Sequence, residues 1–434
     1  MSRLDETHDP ARTSWVASAQ GSDFPIQNLP FGVFRRRGTD EAFRGGVAIG
    51  DQILDVVAVA DALADDAQSA ARACGEPTLN RLMGLGRSAH QALRRALSAG
   101  LAEGSDLEDT FTRALVAQGS AEMALPAAIG DYTDFYSSIH HATNIGRLFR
   151  PDNPLLPNYR WIPIGYHGRS SSIAIGPESF PRPRGQQRPG EDGVPPFGPS
   201  SRMDYELELG VYVGRGNRRG HGIPIDAAED HVFGICVLND WSARDIQAWE
   251  YQPLGPFLGK SFATTVSPWI VTIDALEPFR APLVRDEGEP EPLPYLTSDA
   301  TLDEGALDIT VEALLQTRTM RRNAHAPERL SLGSYRHAYW TVGQLVTHHA
   351  VNGCNLSPGD LLATGTLSGP EPGMEGALIE ITRGGKAPKT LANGEVRTFL
   401  EDGDTVVLRA WCEAEGAIRI GFGEATGTVE AALD

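Results

Sequence analysis

The chain has 434 residues and a formal net charge of −19, with 41% hydrophobic and 22% charged residues. Its length suits two or three domains, and its strong negative charge argues against nucleic acid or an anionic membrane as a partner. The four cysteines are scattered with no CxxC pair, which disfavours disulfides or a zinc site and indicates a reducing compartment. No signal-peptide pattern or bilayer-length apolar stretch occurs, so the sequence predicts a cytoplasmic protein.

The first part of the chain predicts a small β unit followed by helices. Apolar runs at residues 46–49 and 53–57 flank Gly50-Asp51, which is typical of a β-hairpin. From Val57 to Ala117 the sequence is rich in Ala, Leu and Arg, with apolar residues at helical spacing.

A change of composition follows this helical region. It predicts a linker between Ala117 and Pro126, and so two domains, residues 1–122 and 123–434. The second domain is predicted to be rich in strands, with surface loops at Pro181–Ser201 and Glu277–Pro294. Few helices separate the strands. The pattern therefore favours a mainly β (α+β) sandwich, roll or barrel over a doubly wound parallel sheet.

Two glutamates alternate along one predicted strand. Between Met203 and Val213 the apolar residues share one face, while Asp204, Glu206 and Glu208 share the other. Such a face is either exposed to solvent or a pair of ligands for a hard cation such as Mg²⁺ or Ca²⁺. The segment alone leaves both interpretations open.

A second segment combines an apolar run with charged residues. The run from Val232 ends at Asn239-Asp240, and Asp240, Arg244 and Gln247 follow at a spacing that places them on one face of a helix. Asp240 could equally be an N-cap residue and Arg244 a surface charge.

Three further segments contain candidates. Asp131–Gly146 brings acids and tyrosines together with His140 and His141, a setting that favours a general base. Lys260 lies in a Pro/Gly-rich loop whose glycine spacing does not fit a phosphate-binding loop, so it is either a fixed cation or a surface lysine. Thr366 lies in a Gly-rich turn, which is either an ordinary turn or a close approach to a ligand.

Taken together, these segments resemble one protein family. The matching stretches, in chain order, are Phe24–Phe34, Asp131–Gly146, Pro163–Arg169, Asn239–Tyr251, Pro253–Phe262, His348–Leu356 and Thr364–Pro372. They are similar in sequence and order to the fumarylacetoacetases, the long form of the fumarylacetoacetate hydrolase family, over nearly the whole chain. Two positions depart from the family pattern: His140 beside His141, and Phe31 in the N-terminal motif.

The resemblance implies a fold and a metal site. The expected fold is a small SH3-like N-terminal β-barrel with helices, followed by a large mixed β-sandwich roll, and the expected assembly is a homodimer. The implied metal ligands are Asp134, Glu206, Glu208 and Asp240, with Lys260 and Thr264 at an outer cation position. Four carboxylates supply hard oxygen ligands, which favour Mg²⁺ or Ca²⁺ over zinc.

The resemblance also implies an activity. It is hydrolysis of the carbon–carbon bond of 4-fumarylacetoacetate to fumarate and acetoacetate, the last step of tyrosine and phenylalanine catabolism. His141, oriented by Glu380, is implied as the general base, with Arg244, Gln247 and Lys260 around the reacting carbonyl. The implied substrate contacts are Tyr136, Arg150, Tyr166, Gln247, Tyr251 and Thr366.

Two alternatives remain at this stage. A hydrolase of another acylpyruvate or 1,3-diketo acid would share the fold, although the N-terminal motif Asn28–Gly32 argues against it. A non-catalytic, metal-stabilised binding protein would make His141 and Glu380 dispensable.

Overall fold

The computed structural model of the protein describes residues 4–434. Its N-terminal unit combines five strands with four helices: β1 (Phe31–Arg36), β2 (Arg44–Ile49), β3 (Gln52–Asp55), α1 (Asp65–Ala73), α2 (Asn80–Gly84), α3 (Arg87–Leu101), α4 (Glu108–Thr112), β4 (Leu115–Ala117) and β5 (Ala121–Ala124). The strands form one antiparallel sheet in the order β4-β3-β2-β1-β5. The predicted hairpin is confirmed as β2–β3, and Gly50 in its turn adopts a φ of +57° that favours glycine.

The segment predicted as a linker is part of this sheet. Residues 115–117 and 121–124 are strands β4 and β5, and β5 pairs with β1 through Arg36↔Ala121. The linker prediction for 117–126 is therefore wrong, because short strands with small side chains give the same composition as a connector. The predicted boundary between residues 122 and 123 falls within β5, and the division into two domains stays a prediction.

The rest of the chain contains the remaining strands and helices. In chain order they are β6 (Tyr132–Phe135), α5 (Ile139–Phe149), β7 (Gly165–His167), β8 (Ile173–Ile175), β9 (Glu178–Pro181), β10 (Arg184–Gln186), β11 (Phe197–Pro199), β12 (Met203–Asp204), β13 (Leu207–Val213), β14 (Val232–Asp240), β15 (Ser242–Ala243), α6 (Arg244–Glu250), β16 (Thr264–Val266), β17 (Val271–Thr272), β18 (Arg280–Ala281), α7 (Asp299–Glu304), β19 (Ala306–Leu307), β20 (Thr310–Gln316), α8 (Arg318–Arg322), β21 (Glu328–Ser334), α9 (Val342–Ala350), β22 (Leu361–Ala363), α10 (Leu378–Ile381), β23 (Lys389–Thr390), β24 (Val396–Arg397), β25 (Thr405–Cys412) and β26 (Ile420–Glu430). Short 3₁₀ turns connect several of them.

Two larger sheets dominate this part. An eight-stranded sheet runs β7-β6-β22-β13-β14-β16-β8, with β17 added beside β14, and a five-stranded sheet runs β21-β20-β25-β26-β9. Three of the pairs are parallel (β6–β22, β8–β16 and β9–β26), so both sheets are mixed. The predicted class, β-rich with helices after a small first sheet, is confirmed. Within the predicted loop 181–201, β10 and β11 form a short hairpin.

The central strands β13 and β14 are buried on both faces. Leu207, Leu209 and Val211 belong to the main core of this region, whereas Tyr212 and Leu238 pack in a second core shared with the N-terminal unit. The solvent-exposed interpretation of the glutamate face is wrong, because Glu206 and Glu208 are both buried. No helix in residues 4–434 combines the length and apolarity needed to cross a membrane.

Candidate active site and metal centre

Four carboxylates converge at one region of the eight-stranded sheet. Asp134 lies on β6, Glu208 on β13 and Asp240 at the end of β14, and Glu206 immediately precedes β13. Because β6, β22, β13 and β14 are neighbours in the sheet, these side chains meet, and one ligand oxygen from each lies within 4.8 Å of the others. All four are buried. The sequence-predicted ligands are therefore assembled in one cluster.

The cluster concentrates negative charge in a buried environment. Burial raises the pKa of Glu208 well above its ordinary range, and the neighbouring Asp134 and Glu206 raise it further. Burial and Asp240 likewise raise the pKa of Asp134. Burial alone would also raise the pKa of Glu206, but Lys260 and Arg244 outweigh it and hold that pKa well below its usual value. A divalent cation would neutralise the charge that burial and repulsion disfavour.

The donor set fits a hard cation. No described residue donates a hydrogen bond to Oδ1 of Asp134 or Oε1 of Glu208, although both atoms are buried. Buried oxygens without hydrogen-bond partners destabilise a folded protein, and these two lie where they could coordinate an ion. Carboxylate oxygens with no nitrogen or sulfur ligand are the donors that Mg²⁺ and Ca²⁺ prefer.

Lys260 and Thr264 both contact this cluster from its edge. The Lys260 ammonium is buried, pairs with Glu206, and lies 2.8 Å from Oδ2 of Asp240. Thr264 donates a hydrogen bond of 3.1 Å to the other oxygen of Asp240. Burial would lower the pKa of Lys260, but the carboxylates raise it, so the ammonium stays charged and has no lone pair for a metal. The outer cation position stays a prediction.

A histidine and a glutamate form a buried dyad beside the cluster. His141, on α5, has its Nδ1 2.7 Å from Oε2 of Glu380, on α10. Asn144 and Ser368 also donate to the Glu380 carboxylate, at 2.9 Å and 2.9–3.0 Å. The carboxylate therefore selects the tautomer with a proton on Nδ1, which leaves Nε2 as the basic nitrogen. His140 faces His337 instead, with ring centroids 6.3 Å apart.

The Glu380 carboxylate is held in its charged form. Burial would raise its pKa, but His141, Asn144 and Ser368 together lower it below the ordinary value of 4.5. Because the pKa of Glu380 is lower in the folded protein than in the unfolded chain, its ionised carboxylate stabilises the fold at pH values above the unfolded-state pKa. This stabilisation is lost as the pH falls through the folded-state pKa. Glu380 therefore stabilises the folded protein at neutral pH and not in strong acid.

We expect the Glu380→Gln variant to lose stability at neutral pH, because the amide removes the charge that His141, Asn144 and Ser368 stabilise. The difference from the wild type should shrink as pH falls below 4.5. Urea unfolding at about pH 7 and about pH 3.5 measures both differences. A difference that stays constant over this range would mean that the charge of Glu380 contributes nothing.

Arg244 links the cluster to a short helix. Its Nη1 lies 2.7 Å from Oε1 of Glu206 and 3.3 Å from Oε1 of Gln247, and its Nε lies 2.8 Å from Oδ2 of Asp204. Its Nη2 is buried with no acceptor among the described residues. Because α6 begins at Arg244 and Asp240 ends β14, the predicted common helical face and N-cap role of Asp240 are wrong; only Arg244 and Gln247 share the helix.

These groups open onto one cavity of about 420 Å³. The predicted site residues that line it are Asp134, Tyr136, His141, Arg150, Tyr166, Glu206, Arg244, Gln247, Tyr251, Lys260 and Thr366. Tyr166 donates a hydrogen bond of 3.0 Å to Asp240, and the Tyr136 ring meets His141 edge-on at 5.5 Å. Nε of Arg150 has no described acceptor. The structure thus places all predicted substrate contacts around the dyad and the cluster.

Sequence reasoning missed three residues that support the site. Asn144 and Ser368 hold Glu380, and Asp204 holds Arg244. Asn144 and Ser368 lie in the recognised segments 131–146 and 364–372, and Asp204 shares its predicted strand face with Glu206. Their positions were therefore visible, but their partners are distant in sequence and no local pattern identifies them.

Comparison with known proteins identifies the family. Residues 132–430 match the family model for the fumarylacetoacetate hydrolase C-terminal region, and residues 27–126 match the one for the fumarylacetoacetase N-terminal region. The chain is 47% identical to the fumarylacetoacetase of Bos taurus over 97% of its own length and 99% of the relative's, and 48% identical to that of Oryza sativa over 97% of each.

A solved structure shares the fold at low sequence identity. The fumarylacetoacetate hydrolase from Exiguobacterium antarcticum superposes with a TM-score of 0.50 at 18% identity, covering 93% of this chain and 99% of that one. The N-terminal and C-terminal regions both match the family, and the curated relatives match along nearly their whole length. The chain therefore belongs to the fumarylacetoacetate hydrolase family.

Proposed function

We propose that the protein hydrolyses 4-fumarylacetoacetate to fumarate and acetoacetate with the help of a divalent cation. One observation carries this proposal: a buried His141–Glu380 dyad and a four-carboxylate cluster line or border the same cavity. The curated relatives named fumarylacetoacetase, at 47–48% identity, support the same substrate.

The cation is proposed to be Mg²⁺ or Ca²⁺, held by Asp134, Glu206, Glu208 and Asp240. When bound, it would supply Lewis-acid charge to the oxygens of a 1,3-diketone, which are spaced to chelate one ion. Oδ1 of Asp134 and Oε1 of Glu208, which have no partner among the described residues, support this ligand set.

His141 is proposed to act as the general base through Nε2. It removes a proton from water, and the hydroxide adds to the carbonyl carbon on the fumaroyl side. The carbonyl electron pair moves to oxygen and returns as the carbon–carbon bond breaks, so that the bonding pair leaves with the acetoacetate carbon. His141 then returns its proton to that carbon. Glu380 stabilises the imidazolium between these two transfers.

Arg244, Gln247 and Lys260 are proposed to stabilise the oxyanion. Nη2 of Arg244 is buried without a described acceptor, so it can donate without breaking an existing bond. Oε1 of Gln247 accepts from Arg244, so its amide N–H groups are the part of the side chain that can donate to the oxyanion. Donors fixed in advance in a buried site stabilise developing charge at little reorganisation cost.

Arg150 and the tyrosines are proposed to hold the substrate carboxylates. Arg150 lines the cavity, and its Nε has no described partner. Tyr136 and Tyr251, together with Thr366, supply hydroxyl groups on the same walls. Tyr166 also lines the cavity, with its hydroxyl proton donated to Asp240. A guanidinium with free donors is well suited to a carboxylate.

The biological context completes the proposal. We infer a cytoplasmic homodimer that acts at the end of tyrosine and phenylalanine catabolism, with a small diketo acid as its substrate and no nucleic-acid partner. The net charge of −19 supports the last point.

Turnover should depend on the cation. We expect loss of fumarylacetoacetate with the purified protein, no loss after chelation, and recovery when Mg²⁺ or Ca²⁺ is added back. The measurement is substrate absorbance over time, with product identification. No turnover with either ion from a folded protein would point to another acylpyruvate or diketo acid, and failure with those as well would point to a binding protein.

A further inference from the structure

Asp204 is a fully buried carboxylate between two parts of the site. It is 0% exposed, does not line the cavity, and has no role in the reaction as proposed above. Its Oδ2 accepts from Nε of Arg244 at 2.8 Å and from the backbone N–H of Ile379 at 3.1 Å. Its Oδ1 accepts from the backbone N–H groups of Leu378 at 2.8 Å and Tyr205 at 2.9 Å.

One arm of this network holds the helix that carries Glu380. Helix α10 begins at Leu378, and its N-cap residue, Ala377, has no side chain that could accept a hydrogen bond. Asp204 takes this role from a position 174 residues earlier in the chain. A carboxylate at the first N–H groups of a helix satisfies donors that would otherwise be unpaired. The position of Glu380, and through it the orientation of His141, therefore depends on Asp204.

The other arm holds Arg244. The guanidinium bonds Asp204 through Nε and Glu206 through Nη1, so two fixed carboxylates define its plane. Because the plane is fixed, the N–H groups of Nη2, which has no described partner, point in a fixed direction. A guanidinium held at two edges loses little further freedom when its third nitrogen binds an anion.

We propose that Asp204 is a positioning residue that couples the two halves of the machinery, fixing the base dyad through the start of α10 and the oxyanion donor Arg244 through its Nε. This inference rests on the proposed function for its kinetic consequence, whereas its structural content does not depend on the substrate.

A carboxylate is required for both arms. An asparagine offers one acceptor oxygen where Asp204 offers two. In place of Oδ1 its NH₂ would face the N–H of Leu378, and in place of Oδ2 it would face both Nε of Arg244 and the N–H of Ile379. Either orientation removes an acceptor from the start of α10, the second also removes one from Arg244, and a donor would face a donor in a buried place. The side-chain volume hardly changes, so the substitution tests the hydrogen bonds and not the packing.

The kinetic test compares Asp204→Asn with a matched control. Asp404 is 1% exposed and accepts from Nε and Nη2 of Arg397 at 2.7 and 3.0 Å and from the backbone N–H of Glu401 at 2.9 Å, outside the cavity lining. We expect D204N to lower kcat by roughly 10–100-fold with a much smaller change in KM, as for residues that orient catalytic groups. D404N should lower thermal stability and keep kcat.

A double variant separates positioning from general destabilisation. If Asp204 acts through Arg244, the loss of kcat in D204N/R244A should be smaller than the product of the two single losses. Losses that multiply, or equal kcat in D204N and the wild type, would overturn the proposal.

Crystal structures of the wild type and D204N test the geometry without substrate. We expect Arg244 to leave its contact with Glu206, or the first turn of α10 to shift and lengthen the 2.7 Å His141–Glu380 bond. An unchanged arrangement of both would contradict the proposal. A wild type that does not turn over fumarylacetoacetate would refute the proposed function alone, because this structural comparison would still decide the role of Asp204.

Discussion

We expect the His141→Ala variant to lose turnover while it keeps its metal. Removal of a general base typically costs about 10²–10⁴-fold in rate, and here no other described histidine pairs with Glu380. The side chain is not one of the four clustered carboxylates, so the ligand oxygens remain. Turnover is measured with fumarylacetoacetate, and metal affinity is measured by isothermal titration calorimetry with Mg²⁺ and Ca²⁺.

The adjacent histidine provides a matched control for this experiment. His140 lies on the same helix, is half-buried and contacts His337, without a bond to Glu380. The His140→Ala variant should therefore keep its turnover, which also resolves the ambiguity of the His140-His141 pair. Equal loss of turnover and of metal affinity in His141→Ala would mean that His141 is a structural residue. Loss of turnover in His140→Ala alone would mean that His140, and not His141, is the base.

The Glu208→Gln variant should have opposite effects on stability with and without metal. The amide oxygen can still accept the N–H of Gly365, which lies 3.0 Å from Oε2 in the wild type, but one charged ligand is lost. Residues that only support metal ligands are worth about 10–100-fold in affinity, so loss of a ligand should cost at least about 100-fold. Turnover at limiting metal should fall accordingly.

Without metal, the same substitution should not destabilise the protein. Burial and the neighbouring carboxylates raise the pKa of Glu208, which means that its charge is costly in the empty cluster. The variant should therefore unfold in EDTA at a temperature equal to or above that of the wild type. With saturating Mg²⁺ the wild type should gain about 2.7 kcal/mol at a concentration 100 times its Kd, and the variant much less.

Glu312→Gln is the control for this comparison. Glu312 is also buried, but it pairs with Arg329 at 2.7 Å and lies outside the cavity lining. Its replacement should change stability equally with and without metal. If Glu208→Gln were destabilised in EDTA as much as in Mg²⁺, the cluster would be a structural network and not a metal site.

The sequence predicted the site better than the boundaries of the elements around it. The alternation of apolar and acidic residues placed Glu206 and Glu208 on one face of a strand, and the structure brings them together with Asp240. Their burial could not be predicted locally, because their partners come from later segments: Arg244 and Lys260 pair with Glu206, and the N–H of Gly365 donates to Glu208. Periodicity also failed at Asp240, since the strand continues through this residue and the helix begins only at Arg244.

Pairings between distant segments came from the resemblance and not from local patterns. Nothing near His141 or Glu380 indicates that they meet, and Asp204 gave no signal beyond its position beside Glu206. The predicted linker failed for a related reason. The segment 121–124 becomes a strand because β1 offers it an edge, and that edge is not visible in four residues of small and polar side chains.

The separation of the two dyad residues has a consequence for how the enzyme matures. His141 and Glu380 are 239 residues apart, so at about 5–20 residues per second a ribosome needs roughly 10–50 s to synthesise the second after the first. Strand β6, which carries Asp134, likewise cannot pair with its parallel neighbour β22 until β22 has been synthesised. A nascent chain thus grows by a further 140 residues, from Asp240 to Glu380, with the acidic strands made and no finished centre. Catalytic competence should therefore arise late and in one step, and prematurely released fragments should be inert.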